Sequence, residues 1–445
     1  MARSACGRLA TLKTLLALLG LIAIPVTYGL VTGWNPLPGL RTRLAAGLGS
    51  RLAPNHVLAT PAATWTVRLG DTPSWAAGAG DVVVIGSRGG VEARDGATGT
   101  TLWSRPVDYA AVAGSDGTGG PVVVAGRRGH GYDVLDPRTG TSRWAVSAAL
   151  GVWTYRDMIV DVACTDLLTC VVTAHIPRTG LVLWHSPLGG NGRPLSGANR
   201  PLAQVRPLDG TGAGAGPVPA PPLLGFPVDD KIQVIATTDG RHLRAYQNTQ
   251  RAQVVVAGHQ VLVTTVTLRG GNCRYAVAAH DPGSDAPVWR RDGYDLHTAS
   301  GGCDQRDPPA GAAGLVRATG PDNRDVLLDA DTGEVRWQAP GTGAVVAVGA
   351  EVAVVRADTG ALTGVRLSDG RQVWSRPAGR AARVSAVPGA VVIADTGAGT
   401  FTALAPLSGQ ARIEARSAAG LLGYTGAGLV VNIGRTTGLL AYTGA

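Results

Sequence analysis

Seven of the ten tryptophans in this 445-residue chain stand at one position of a repeat. A turn of the form Asp-x-x-Thr-Gly is followed, four residues after its glycine, by tryptophan. The fullest copies are Asp95–Gly99 with Trp103, Asp136–Gly140 with Trp144, and Asp329–Gly333 with Trp337. Degenerate copies are Arg178-Thr179-Gly180 with Trp184, Asp281–Asp285 with Trp289, and Ser368-Asp369-Gly370 with Trp374; a last copy, Leu407-Ser408-Gly409, carries Ile413 in place of tryptophan. Trp103 to Trp144 is 41 residues, Trp144 to Trp184 is 40 and Trp337 to Trp374 is 37. A fixed period of this length restricts the chain to an architecture of stacked, equivalent units.

About 40–45 residues hold four short strands and their turns, the size of one propeller blade. Runs such as Val82-Val83-Val84-Ile85 and Val122-Val123-Val124 read as strands, and the turn clusters between them separate hairpins. Asp or Ser at the turn start can accept a backbone N–H two residues on, and the closing glycine tolerates positive φ. The expected fold is all-β: a propeller of about eight four-stranded blades, with seven or nine also compatible. Trp65 lies on a strand with no partner strands before it, and the segments around Val430 and Leu440 have no tryptophan strand after them. Pairing the two ends completes a blade and closes the ring. Trp65, Trp103, Trp144, Trp184, Trp289, Trp337 and Trp374 are expected to dock one blade on the next. The 105 residues between Trp184 and Trp289 must hold an irregular repeat.

The repeat resembles that of the quinoprotein-type, PQQ-like propeller family, most closely at Leu327-Leu328-Asp329-Ala330-Asp331-Thr332-Gly333-Glu334-Val335-Arg336-Trp337. The resemblance spans roughly residues 61–445. It implies a propeller, and it admits both quinone-dependent dehydrogenases and non-catalytic outer-membrane assembly lipoproteins, because fold alone does not license an activity. The dehydrogenases hold pyrroloquinoline quinone over the ring axis beneath an adjacent-cysteine disulfide, beside a calcium ion. This chain has no adjacent cysteine pair. Its compact acid or amide clusters, Asp229-Asp230 and Asp322-Asn323, read as solvated turns, and it has neither a nucleophile elbow nor a zinc helix motif. No catalytic, cofactor-binding or metal-binding residue is therefore assigned.

The N-terminus is expected to set the address. Arg3, Arg8 and Lys13 precede an apolar run, Leu15 to Val31, long enough to span a bilayer. It reads as a signal anchor over 14–31, with a basic cytoplasmic tail at 1–13; a cleaved signal peptide is the alternative. Residues 32–60 form a linker in which Leu37, Leu40, Leu44, Leu48 and Leu52 recur at helical spacing, as either an interfacial helix or a linker packed on the propeller. Apart from Cys6 there are four cysteines. Three pairings are open; Cys164 with Cys170 and Cys273 with Cys303 is preferred, and a metal site lacks histidines at ligand spacing. Disulfides fit an oxidising compartment. The net charge of +9 comes almost wholly from arginine, spread through turns. No nucleic-acid module is present. Gly126–Gly131, with two arginines, is an ordinary charged hairpin or a small anion-binding loop. Residues 188–222, rich in Gly and Pro, read as a mobile insertion in the fourth blade. The functional expectation is a single-pass, extracytoplasmic scaffold with a protein or glycan partner in the envelope. The alternatives are a quinone-dependent sugar or alcohol dehydrogenase and a glycan-binding or lyase propeller.

Overall fold

The computed structural model describes residues 56–441 except 61, 127–129, 166–168, 190–201, 209, 211–215, 285, 300–302, 306 and 313. The expected anchor at 14–31, the tail before it and most of the 32–60 linker lie outside the described residues. No helix among the described residues is long and apolar enough to cross a membrane. A short helix, His56–Ala59, precedes the first strand and buries Val57 and Leu58 against the last two sheets.

The described strands form nine sheets, and eight of them follow one another along the chain at 73–105, 109–146, 151–188, 223–247, 252–292, 310–338, 344–376 and 383–416. The ninth joins the two ends: Ala63–Arg68 pairs antiparallel with Thr436–Ala441, beside Gly428–Ile433 and Gly420–Thr425. Six of the eight consecutive sheets are antiparallel meanders of four strands. Ring closure is as expected, and it leaves the terminal strands paired instead of presenting open edges.

The count is nine because the long tryptophan gap holds two sheets. The sheet at 223–247 has three strands, Leu223–Val228, Lys231–Ala236 and His242–Gln247. It places Arg244 where its neighbours carry tryptophan, so the repeat signature is lost there while the backbone pattern survives. The Arg244 guanidinium still donates to Ser284 O of the next sheet at 2.7 Å.

Burial explains why the period-2 signal fades in the second strand of each sheet. Val82–Ser87 and Val122–Gly126 are buried on both faces, because neighbouring sheets stack against each. Outer strands such as Val182–Leu188 keep the alternation of exposed and buried residues. The core is accordingly a series of clusters between adjacent sheets, built from Val, Leu, Ala and Trp.

Each Asp-x-x-Thr-Gly turn is a small machine for turning the chain. Asp95 Oδ1 accepts from the N–H groups of Ala97 and Thr98 at 3.1 and 3.0 Å, and Gly99 N–H bonds Asp95 O at 2.8 Å with φ +71°. The register then shifts between Ala93 and Arg94, as expected for a hairpin loop closed by a bulge. The Thr98 backbone and hydroxyl bonds, with Ala97 and Arg138 adding to them, hold the Asp95 carboxyl below its ordinary range.

Candidate functional site: the central channel and the inter-sheet seams

The first strands of the sheets face the ring centre, and the Gly/Pro-rich stretch runs across them. Ala203 N–H bonds Gly225 O at 2.8 Å, in place of the innermost strand that the fourth sheet lacks. Val256 N–H then bonds Ala203 O at 2.7 Å, and Gln204 bridges Val256 in parallel register. Arg206–Pro207 adds a parallel strand to Ala310–Ala312, with Arg206 N–H to Pro309 O at 2.7 Å. Leu208 O accepts from Val348 N–H at 2.5 Å, and Gly210 O accepts from the Ser385 hydroxyl at 2.8 Å. One strap thus touches the fourth to eighth sheets in turn. It returns past the third, where Arg156 N–H bonds Val218 O at 2.7 Å and Ala220 N–H bonds Asp157 Oδ1 at 2.8 Å. The expectation of a mobile insertion is corrected for these residues: backbone pairing to inner strands satisfies groups that a free loop would leave to water. Leu202, Val205 and Leu208, three residues apart, are the sequence signal for it.

Beside this strap lies a cavity of about 490 Å³, lined by Trp75, Val112, Tyr155, Pro217, Pro219 and Leu315 among others. Among the described residues, none lining it is Asp, Glu, Lys, Arg or His. Burial, and less so Asp157, pushes the Tyr155 hydroxyl well above its usual range, so it stays neutral.

Away from the axis, six of the seven repeat tryptophans reach the turn of the next sheet. The indole N–H groups of Trp65, Trp103, Trp144, Trp184, Trp289 and Trp374 donate to Gly96, Pro137, Pro177, Thr237, Ala330 and Pro406 at 2.7–3.1 Å. In every case the acceptor is the second residue of the next sheet's turn. The ring covers that turn's glycine: a methyl group on Gly99, Gly140, Gly180, Gly240, Gly333 or Gly409 would stand 2.5–2.7 Å from it. Glycine is needed there both for its positive φ and for this close approach. Trp337 departs from the pattern.

Between the second and third sheets sits a buried polar triad that sequence inspection did not single out. Asp161, 2 % exposed, accepts from the Tyr132 hydroxyl at 2.7 Å and from His175 Nε2 at 3.0 Å. His175 Nδ1 faces Gly180 O at 3.1 Å. Both ring nitrogens therefore meet oxygen acceptors, which suits the imidazolium. Burial pulls the His175 pKa down, but Asp161 and the Gly180 carbonyl outweigh it and the net shift is upward. Burial, then Asp161, raises Tyr109 to about 12.

Cys164 is bonded to Cys170 and Cys273 to Cys303, the preferred pairing. The acid and amide clusters remain apart at turns. Asp230 accepts from Gln247, Asp322 accepts from Gln338 at 2.5 Å, and Asp229 and Asn323 occupy positive φ. No group of three His, Cys, Asp or Glu side chains that could hold a metal ion occurs among the described residues. In the Gly126–Gly131 loop, Arg127, Arg128 and Gly129 lie outside the described residues.

These features define the chain as a closed, nine-bladed β-propeller. Residues 274–428 match the family model described as outer membrane protein assembly factor BamB. Among solved structures, BamB from Moraxella catarrhalis is similar at 14% identity and TM-score 0.40, covering 85% of this chain and 99% of that one. The computationally designed Ika8 protein is similar at 15% identity and TM-score 0.42, covering 78% and 97%. No curated protein matches the chain.

Proposed function

We propose that this propeller is a non-catalytic, protein-interacting scaffold of the bacterial envelope, held on the extracytoplasmic side by the apolar segment at 14–31. The observation that carries this reading is the channel. In quinone-dependent propellers the ring axis holds the cofactor; here the chain's own strap crosses it, and the remaining cavity has no charged side chain among the described residues. A polyanionic quinone with a calcium ion needs cationic and carboxylate partners, because an unpaired buried charge is costly. The lining does not fit that pair. The partial match to a family described as an assembly factor supports the same direction, and the two disulfides agree with an oxidising compartment.

The test uses the full chain with its disulfides intact. A photo-crosslinking residue is placed at Arg138, on the turn-bearing rim, and at Val218, over the channel mouth, in producing cells. Rim-specific adducts to a defined envelope protein are expected, together with no saturable uptake of pyrroloquinoline quinone and calcium by the purified protein. Saturable quinone binding with dye reduction by a sugar or alcohol would overturn the reading.

A further inference from the structure

The seam between the sixth and seventh sheets is built differently from the other tryptophan seams. The residue offered to Trp337 as acceptor is Leu367, where the other seams present Gly96, Pro137, Pro177, Thr237, Ala330 or Pro406. Leu367 is the bulkiest of the set and packs into the cluster that contains Trp337. The Trp337 edge atom Cδ1 lies 3.9 Å from where a methyl group on Gly370 would stand, against 2.5–2.7 Å in the six docked seams. Most of Trp337 is buried, but its indole N–H opens to solvent and meets no acceptor among the described residues.

A cleft of about 640 Å³ opens at this point, with Trp337, Val355, Thr363, Val365, Gln372 and the ion-paired Arg336 in its lining. That volume lies within the ~300–1,000 Å³ range of small-molecule sites. Its charge is already spent internally: Arg336 is held by Asp329 at 3.0 Å and Glu334 at 3.6 Å, and Gln338 donates to Asp322. What remains uncommitted is neutral: the Trp337 N–H, the Thr363 hydroxyl and the Gln372 amide, against an apolar wall of Val355 and Val365. Neutral donors and acceptors beside apolar side chains match a sugar ring, which has hydroxyls at its rim and C–H groups on its faces. They do not match an anion.

We infer that the Trp337 seam is a binding site for an uncharged oligosaccharide, with the undocked indole N–H donating to a sugar oxygen. The site is independent of the channel and of the scaffold role. The experiment uses the full chain carrying ¹⁵N-labelled tryptophan, with the Trp337 indole resonance assigned from its loss in W337F. Cellotriose, chitotriose and maltotriose are titrated to millimolar concentration, with inorganic phosphate as the anion control. At least one trisaccharide is expected to shift the Trp337 indole resonance saturably, and isothermal titration calorimetry with that sugar should show binding about tenfold weaker in both W337F and Q372A, as loss of a hydrogen bond predicts. Gln372 is exposed, so Q372A tests the site without endangering the fold. No shift with any trisaccharide, a shift with phosphate alone, or unchanged affinity in either variant would overturn the inference.

Discussion

Gly333 and Gly370 offer a direct measurement of what tryptophan docking contributes. Both close a turn at nearly the same backbone angle, φ +70° and +69°. Replacing either by alanine therefore carries the same left-handed cost, about 1–2 kcal/mol. The surroundings differ. A methyl group on Gly333 would stand 2.5 Å from the Trp289 ring, and one on Gly370 meets nothing closer than 3.6 Å. Gly333→Ala must push the Trp289 indole off the turn and stretch its 3.1 Å bond to Ala330 O. Overpacking of this kind adds about 1–3 kcal/mol. G333A should thus be less stable than G370A by about 1–3 kcal/mol, the shared backbone term cancelling. Urea unfolding followed by tryptophan fluorescence and by circular dichroism gives the difference, provided the two probes coincide. Equal loss in the two variants would refute the argument that the indole rests on the glycine.

Three further outcomes follow from the same geometry. Trp103→Phe keeps an aromatic ring but removes the 2.7 Å bond to Pro137 O, and should cost roughly 1–2 kcal/mol, read as a lower urea midpoint. The folded pKa of His175 lies above its unfolded value, so its contribution is fully present below about pH 6.5 and is lost as pH rises through the folded value. The stability gap between the native chain and His175→Gln should accordingly shrink between neutral and alkaline pH; a gap that widens with pH would contradict the imidazolium assignment. The Cys273–Cys303 bridge closes 30 residues and the Cys164–Cys170 bridge 6. On chain entropy, removing the first should cost about 3.6 kcal/mol and the second about 2.2, which thermal melts of the paired Cys→Ser variants would compare.

The tryptophan repeat was legible because its job is local and repeated. Asp95, Thr98 and Gly99 make the same turn wherever they occur, and a ring four residues later reaches the next turn through a nearly constant offset. Closure was legible too, since Trp65 lacked strands before it and Leu440 lacked one after it. The blade count was not, because Arg244 replaces tryptophan and the strap supplies part of an inner strand; neither leaves a repeat signature. The disulfide preference came from spacing and matched the structure, whereas the Asp161, His175 and Tyr132 triad joins residues from separate repeats and has no spacing to read.

What sequence by itself determined here was the unit: four strands, a turn and a docking ring, each set by short-range chemistry that travels with its residues. Tertiary structure decided how the units use the space between and inside them. Residues 202–208 lie within the Gly/Pro-rich stretch and look like linker, but closing the ring brings the open edges of the fourth to seventh sheets into their reach, and pairing follows. Trp337 lies in the most complete copy of the repeat, yet its indole makes no hydrogen bond to the neighbouring turn, where Leu367, thirty residues away in sequence, packs beside it. Long-range contacts between residues that share no local pattern are set by packing, and packing exists only once the ring has closed.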